Sequence, residues 1–82
     1  MPTILRLGKM RIVIFPNDHN PPHVHVLTPD GEAKIAIGSN HIKPVLIQND
    51  GLSEKSLALA LETIDLEWPL LHGKWREIHD KR

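Results

Sequence analysis

Residues 1–50 alternate between short apolar runs and turn-forming residues. Within the runs, apolar side chains recur at every second position, which is the period of a β-strand, and Gly, Pro, Asn and Asp separate the runs. The pattern predicts an antiparallel meander with strands at residues 3–7, 10–15, 23–27 and 32–37. A fifth strand at residues 42–47 is left open, because Pro44 would confine it to an edge of the sheet.

Residues 53–80 carry a different pattern, with apolar side chains spaced alternately four and three positions apart. This is the period of an α-helix with one apolar face, and Ser53 is a residue type preferred at a helix N-terminus. Pro69 removes a helical hydrogen bond without changing the phase of the stripe, so the helix is expected to be kinked or broken near Pro69. The stripe consists of Leu57, Leu61, Ile64, Trp68, Leu71, Trp75 and Ile78.

Together the two patterns predict an α+β fold. An antiparallel meander sheet of four to five strands, within residues 1–50, would pack on a long C-terminal helix within residues 53–80. A chain of 82 residues is long enough for one small domain, so residues 1–82 are expected to form a single domain.

Composition narrows the classes of function that such a chain can have. Ten basic residues balance ten acidic ones, so no net field attracts nucleic acid or an anionic membrane. The chain has no cysteine, so any metal ligand must be His, Asp or Glu. No apolar run is long enough to cross a membrane and no signal layout opens the chain, so a cytoplasmic location is expected.

A domain of this size has a thin hydrophobic core, and self-association would help to stabilise it. The apolar stripe of the helix could fill the core or form a seam between two chains. We therefore expect a homo-oligomer, most simply a dimer. The residues expected at its interface are Leu61, Ile64, Trp68, Leu71 and Trp75.

Histidine supplies the candidate chemistry. Three of the six histidines lie between positions 19 and 25, and the period of a strand places His23 and His25 on the same face. With Asp18 and His19 in the adjacent proline-rich loop, they form a candidate ligand set for Zn, Mn, Ni or Fe. Alternatively, His19, His23 and His25 could act as a metal-free acid and base, or serve only the structure. The remaining histidines are expected at the surface: His41, His72 and His79.

The loop and the third predicted strand carry a specific motif. Residues 17–25 are N-D-H-N-P-P-H-V-H, the chain opens with Met-Pro-Thr-Ile, and a leucine-rich helix ends the chain. In these features the chain resembles an uncharacterised bacterial family known as domain of unknown function 4160, whose motif is N-D-H-x-P-P-H-x-H. It departs from the family at Val24, where an aromatic residue is usual, and at residues 67–69, where His-Arg and an acid are common. The motif match selects Asp18, His19, His23 and His25.

The resemblance implies an interaction role and transfers no activity. Genes of such proteins often lie beside a gene for another small domain, in arrangements that resemble toxin–antitoxin pairs. The leading expectation is therefore a small regulatory module that acts through a partner protein encoded nearby. A small His-dependent hydrolase or ribonuclease, with or without metal, is the alternative. A DNA-binding regulator that uses the first hairpin is a weaker alternative, because the net charge is zero.

Overall fold

The computed structural model describes residues 3–79, which form five strands followed by two helices. The strands are β1 (Thr3–Leu7), β2 (Met10–Val13), β3 (His23–Thr28), β4 (Gly31–Ala36) and β5 (Val45–Asp50). The helices are α1 (Glu54–Leu66) and α2 (Trp68–His79). The predicted α+β class is confirmed. The fifth strand is present, and it lies at residues 45–50 instead of 42–47.

All neighbouring strands pair antiparallel, in the order β1-β2-β3-β4-β5, so the sheet is the predicted meander. β3 lies at the centre, and its His25 is opposite Val13 on β2 and Lys34 on β4. The pairing of β4 with β5 shifts register, which leaves Ile47 as an extra, bulged residue. Gly8 makes the turn between β1 and β2 with a φ of 58°, in the left-handed region that favours glycine.

One face of the sheet and the two helices share a single hydrophobic core. Three residues of the predicted interface, Ile64, Leu71 and Trp75, are buried in this core, so they are not available to a second chain. Leu61 and Trp68 are partly buried at its margin. The core takes alternate strand residues, as the period of two predicts. Its buried members are Met10, Ile12, Ile14, Val24, Val26, Ala33, Ile35, Ile37, Leu52, Ala60, Ile64, Leu71 and Trp75.

The helical part consists of two consecutive helices, which agrees with the helix break predicted near Pro69. The side chain of Ser53 accepts a hydrogen bond from the N–H of Ser56 and caps α1, as predicted. The break falls at Glu67, which places Pro69 in the first turn of α2, where a helix needs no N–H. No helix within residues 3–79 is long and apolar enough to span a membrane. The predicted helix end at residue 80 lies outside the described residues.

Candidate metal centre

Three side chains meet at the start of β3. His23 and His25 alternate with two core valines, so both imidazoles lie on the face of the sheet opposite the core. Asp18 comes from the loop between β2 and β3, which folds over that face. Its N–H donates to the Phe15 carbonyl (3.1 Å), and its carboxylate accepts from the Phe15 N–H (3.3 Å). These two bonds fix the carboxylate above the imidazoles.

The ligand atoms of the three side chains lie close together. Nε2 of His25 is 3.1 and 3.2 Å from the two carboxylate oxygens of Asp18. Nε2 of His23 is 3.4 Å from one of the same oxygens. One ligand atom from each residue lies within 4.8 Å of the other two. Since bonds from a metal to these ligands are about 2.0–2.2 Å long, one ion could contact all three.

The other nitrogen of each imidazole also has a partner. Nδ1 of His23 is 2.9 Å from the carbonyl oxygen of Pro21, and Nδ1 of His25 is 3.3 Å from the carboxylate of Glu32. A carbonyl oxygen only accepts, so Nδ1 of His23 carries a proton and donates it to Pro21. His25 faces a carboxylate at both nitrogens, so a neutral ring donates either from Nδ1 to Glu32 or from Nε2 to Asp18. A neutral ring with its proton on Nδ1 turns the lone pair of its Nε2 towards Asp18. Metal-binding histidines are held by acceptors at the far nitrogen in this same way.

The contact between the imidazoles and Asp18 requires a proton or a metal ion at each nitrogen that faces the carboxylate. A carboxylate oxygen is itself an acceptor, so a nitrogen lone pair that faces it is repelled unless a proton or a metal ion lies between them. Nε2 of His23 is buried and makes no hydrogen bond to any residue from 3 to 79. The exposed fractions of the side chains are 8% for His23, 10% for His25 and 15% for Asp18, so water screens the group weakly.

Aromatic rings surround the two imidazoles. The ring of Phe15 contacts His25 edge to face at 4.6 Å between centroids, and the ring of Trp75 is 5.4 Å from that of His23. His79 stacks on Trp75 at 3.8 Å and donates from Nδ1 to the Trp75 carbonyl. An apolar shell of this kind limits access of water and strengthens the electrostatic interactions inside it.

An open cleft of about 200 Å³ reaches the site from the side of β4 and β5. Glu32, whose side chain is 52% exposed, and His25 both line this cleft, whereas Asp18 and His23 do not. A small ligand in the cleft would therefore approach the cluster along the edge of the His25 ring. The cleft is lined by His25, Glu32, Ala33, Lys34, Gln48 and Asp50.

The structure brings together three of the four predicted ligands and leaves one outside. Asp18, His23 and His25 form the cluster, whereas His19 is exposed and is not part of it. The carboxylate of Asp18 accepts a hydrogen bond from the backbone N–H of Phe15, whereas the following residue, His19, is exposed to solvent. The structure therefore does not bring His19 into the ligand cluster, and its catalytic role stays a prediction.

Sequence reasoning missed the two acceptors behind the imidazoles. Pairing β3 with β4 about the turn at Thr28 and Gly31 would have placed Glu32 on the face of His25, so a signal for it was present. The carbonyl of Pro21 leaves no signal in residue type. Two histidines predicted at the surface are also half-buried, because His72 donates from Nε2 to the Gly38 carbonyl (2.8 Å) and His79 stacks on a tryptophan.

Comparison with known families places this site in context. The family model described as Domain of unknown function (DUF4160) matches residues 10–76, a segment that contains the loop, β3 and the ligand cluster. The chain belongs to this family. Searches of the curated proteins and of the solved structures gave no match. DUF4160 membership confirms the resemblance seen in the sequence and leaves the function to be inferred from the geometry.

Proposed function

We propose that this protein is a small hydrolase that depends on a divalent transition metal. The supporting observation is that Nδ1 of each ring has an acceptor behind it, while Nε2 of both His23 and His25 faces Asp18. Two imidazoles and one carboxylate suit Zn, Mn, Ni or Fe, and three protein ligands leave positions open. An ion held there would supply a Lewis acid that polarises a substrate and acidifies water.

Each residue of the cluster has a definite part in this proposal. Asp18, His23 and His25 would hold the ion. Glu32 is a positioning residue, because its carboxylate fixes the orientation of the His25 ring. The carbonyl of Pro21 fixes the His23 ring in the same way. Substrate would approach through the open cleft beside His25.

Calorimetric titration of the untagged, metal-stripped protein with Zn²⁺ and Mn²⁺ tests the proposal. Wild type is expected to bind one ion with a Kd below about 10 µM. Asp18→Asn, His23→Ala and His25→Ala each remove a ligand and should weaken binding by at least about 100-fold. His19→Ala is the matched control, because this exposed histidine lies in the same loop outside the cluster, and its affinity should equal that of wild type.

Two results would contradict the metal proposal. One is a wild-type Kd no lower than about 100 µM. The other is a loss of affinity in His19→Ala as large as that in His25→Ala. Asp18→Asn preserves the shape of the side chain, so it keeps the test decisive if an alanine variant fails to fold. If the cluster binds no metal, the remaining interpretation is that the imidazoles donate hydrogen bonds to Asp18 from protonated nitrogens.

Fluorescence gives a second readout of the same site. The ring of Trp75 lies 5.4 Å from that of His23, so a paramagnetic ion in the cluster should quench Trp75 emission. Trp68→Phe leaves Trp75 as the single tryptophan of the chain. We expect Ni²⁺ to quench the emission of this variant and Asp18→Asn in the same background to abolish the quenching.

A second function is favoured by a different part of the molecule. Large apolar side chains are exposed between residues 42 and 70, and exposed apolar surface often marks interaction sites. This distribution supports an interaction module that binds a second copy or a small partner protein, as in a pair of toxin–antitoxin type. The two proposals are compatible because they use different residues. The exposed residues are Ile42, Val45, Leu46, Ile47, Leu59, Leu66 and Leu70.

A further inference from the structure

Basic side chains flank the imidazoles on the same face of the sheet. Lys34 is directly opposite His25 in the pairing of β3 with β4, and such cross-strand side chains lie about 5 Å apart. Val13 is opposite His25 on the other side, so Arg11, two residues along β2, is a diagonal neighbour within reach of a long side chain. Arg6 of β1 is opposite Arg11. Positive charge is therefore available on both sides of the cluster.

These three basic groups have no carboxylate partner among residues 3–79. The ion pairs closer than 4 Å in this part of the chain involve other cations. Arg6 and Arg11 face each other across the strands, which destabilises the sheet unless an anion lies between them. Arg11 and Lys34 are half-buried, so an unpaired charge there is more costly than on an open surface.

The balance of charge on this face makes anion binding depend on the metal. The carboxylates on the same face, Asp18, Glu32 and Asp50, are equal in number to the basic groups. With neutral imidazoles and no metal ion, the face therefore has no net attraction for an anion. A divalent ion in the cluster would make the face net positive and would favour a dianion close to Lys34.

We infer that the substrate carries a phosphate group on a small molecule and binds the metal-loaded protein more tightly than the metal-free protein, an inference that rests on the proposed metal centre. A phosphate monoester has enough terminal oxygens to contact both the ion and Lys34, which lines the cleft. Arg11, on the other side of β3, adds a second positive charge within reach of a long side chain. A guanidinium pairs with phosphate through two parallel hydrogen bonds. The cleft of about 200 Å³ is smaller than the ligand pockets of about 300–1,000 Å³ that are usual, which favours a compact ligand.

Titration with inorganic phosphate tests the inference, using Mn²⁺-loaded protein and metal-stripped protein side by side. Phosphate should bind the Mn²⁺-loaded form at least about tenfold more tightly, and acetate should bind it at least about tenfold more weakly than phosphate does. Lys34→Gln and Arg11→Gln should each weaken phosphate binding about tenfold while Mn²⁺ still binds. Lys55→Gln is the matched control, because this exposed lysine lies on α1, and it should bind phosphate as wild type does.

Several results would overturn the inference. Equal phosphate affinity with and without Mn²⁺ would do so, and so would an equal loss in Lys55→Gln and Lys34→Gln. Another such result is a protein that binds neither phosphate nor a mononucleotide and yet binds a short single-stranded RNA. That result would overturn the small phosphate ester as substrate and indicate a nucleic acid instead. Failure of Mn²⁺ to bind overturns the metal centre itself, whereas Mn²⁺ binding without phosphate binding overturns only the phosphate inference.

Discussion

β3 and β5 have the same length and lie in the same sheet, yet their burial is opposite to what their residues would predict. β3 contains two histidines, and its first four residues are buried. β5 begins with Val45, Leu46 and Ile47, and all of its residues are exposed. Hydrophobicity alone would have reversed this order, so the place of each strand in the sheet must decide its burial.

The surroundings of the two strands explain the difference. β3 has β2 and β4 as neighbours, the helices against its valine face and the Asp18 loop over its histidine face. β5 pairs only with β4 among the described strands, and the bulge at Ile47 disturbs that pairing. An edge strand of this kind offers free backbone groups to another chain. The histidines of β3 therefore lie in the protected centre of the sheet, where side chains can react away from water. The apolar residues of β5 lie at its accessible edge.

The largest expected effect comes from removing the ring that covers one end of β3. Trp75 is buried and packs against His23, so Trp75→Ala should lower the free energy of unfolding by about 3–5 kcal/mol. Trp68→Ala is the control, because Trp68 lies at the margin of the core and its loss should cost about 1–2 kcal/mol. Urea unfolding followed by circular dichroism measures both. A cost below about 1 kcal/mol for Trp75→Ala would show that β3 does not depend on this cover.

A matched pair of valines sharpens the comparison directly. Val24 of β3 is 0% exposed and Val45 of β5 is 58% exposed. The same substitution by alanine should cost about 2 kcal/mol at Val24 and less than about 0.5 kcal/mol at Val45, because only the first removes buried methyl groups. Urea unfolding of the two variants gives both values. Equal costs would mean that β5 is covered in solution, by a second copy or by another partner.

The contrast between β3 and β5 also separates what the sequence could predict from what it could not. Alternation predicted β3 and the shared face of His23 and His25, since a period of two has one geometric consequence. The bounds of β5 were not predictable, because apolar and polar residues do not alternate along it. Three apolar residues are followed by Gln, Asn and Asp. Edge strands need no core face, so their sequences carry a weaker pattern.

The candidate site shows the same limit. The sequence pointed to Asp18, His19, His23 and His25, which lie close together along the chain, and the structure gathers all of them except His19. The role of Glu32 depends on the register of β3 with β4, and the burial of His72 depends on a contact with Gly38, far away in sequence. Tertiary contacts of this kind leave no periodic signal in the residues that make them.

A substitution on the exposed strand β5 should have the smallest effect on stability and a large effect on self-association. Val45→Lys places a charge on the edge strand, where the folded chain already exposes the side chain, so the free energy of unfolding should change by less than about 0.5 kcal/mol. If β5 mediates the proposed self-association, wild type should be a dimer at about 100 µM and Val45→Lys a monomer, as measured by light scattering. Lys55→Gln, on the exposed surface of α1, should remain a dimer. A wild type that is monomeric at this concentration would contradict self-association, and a dimeric Val45→Lys would place the contact away from β5.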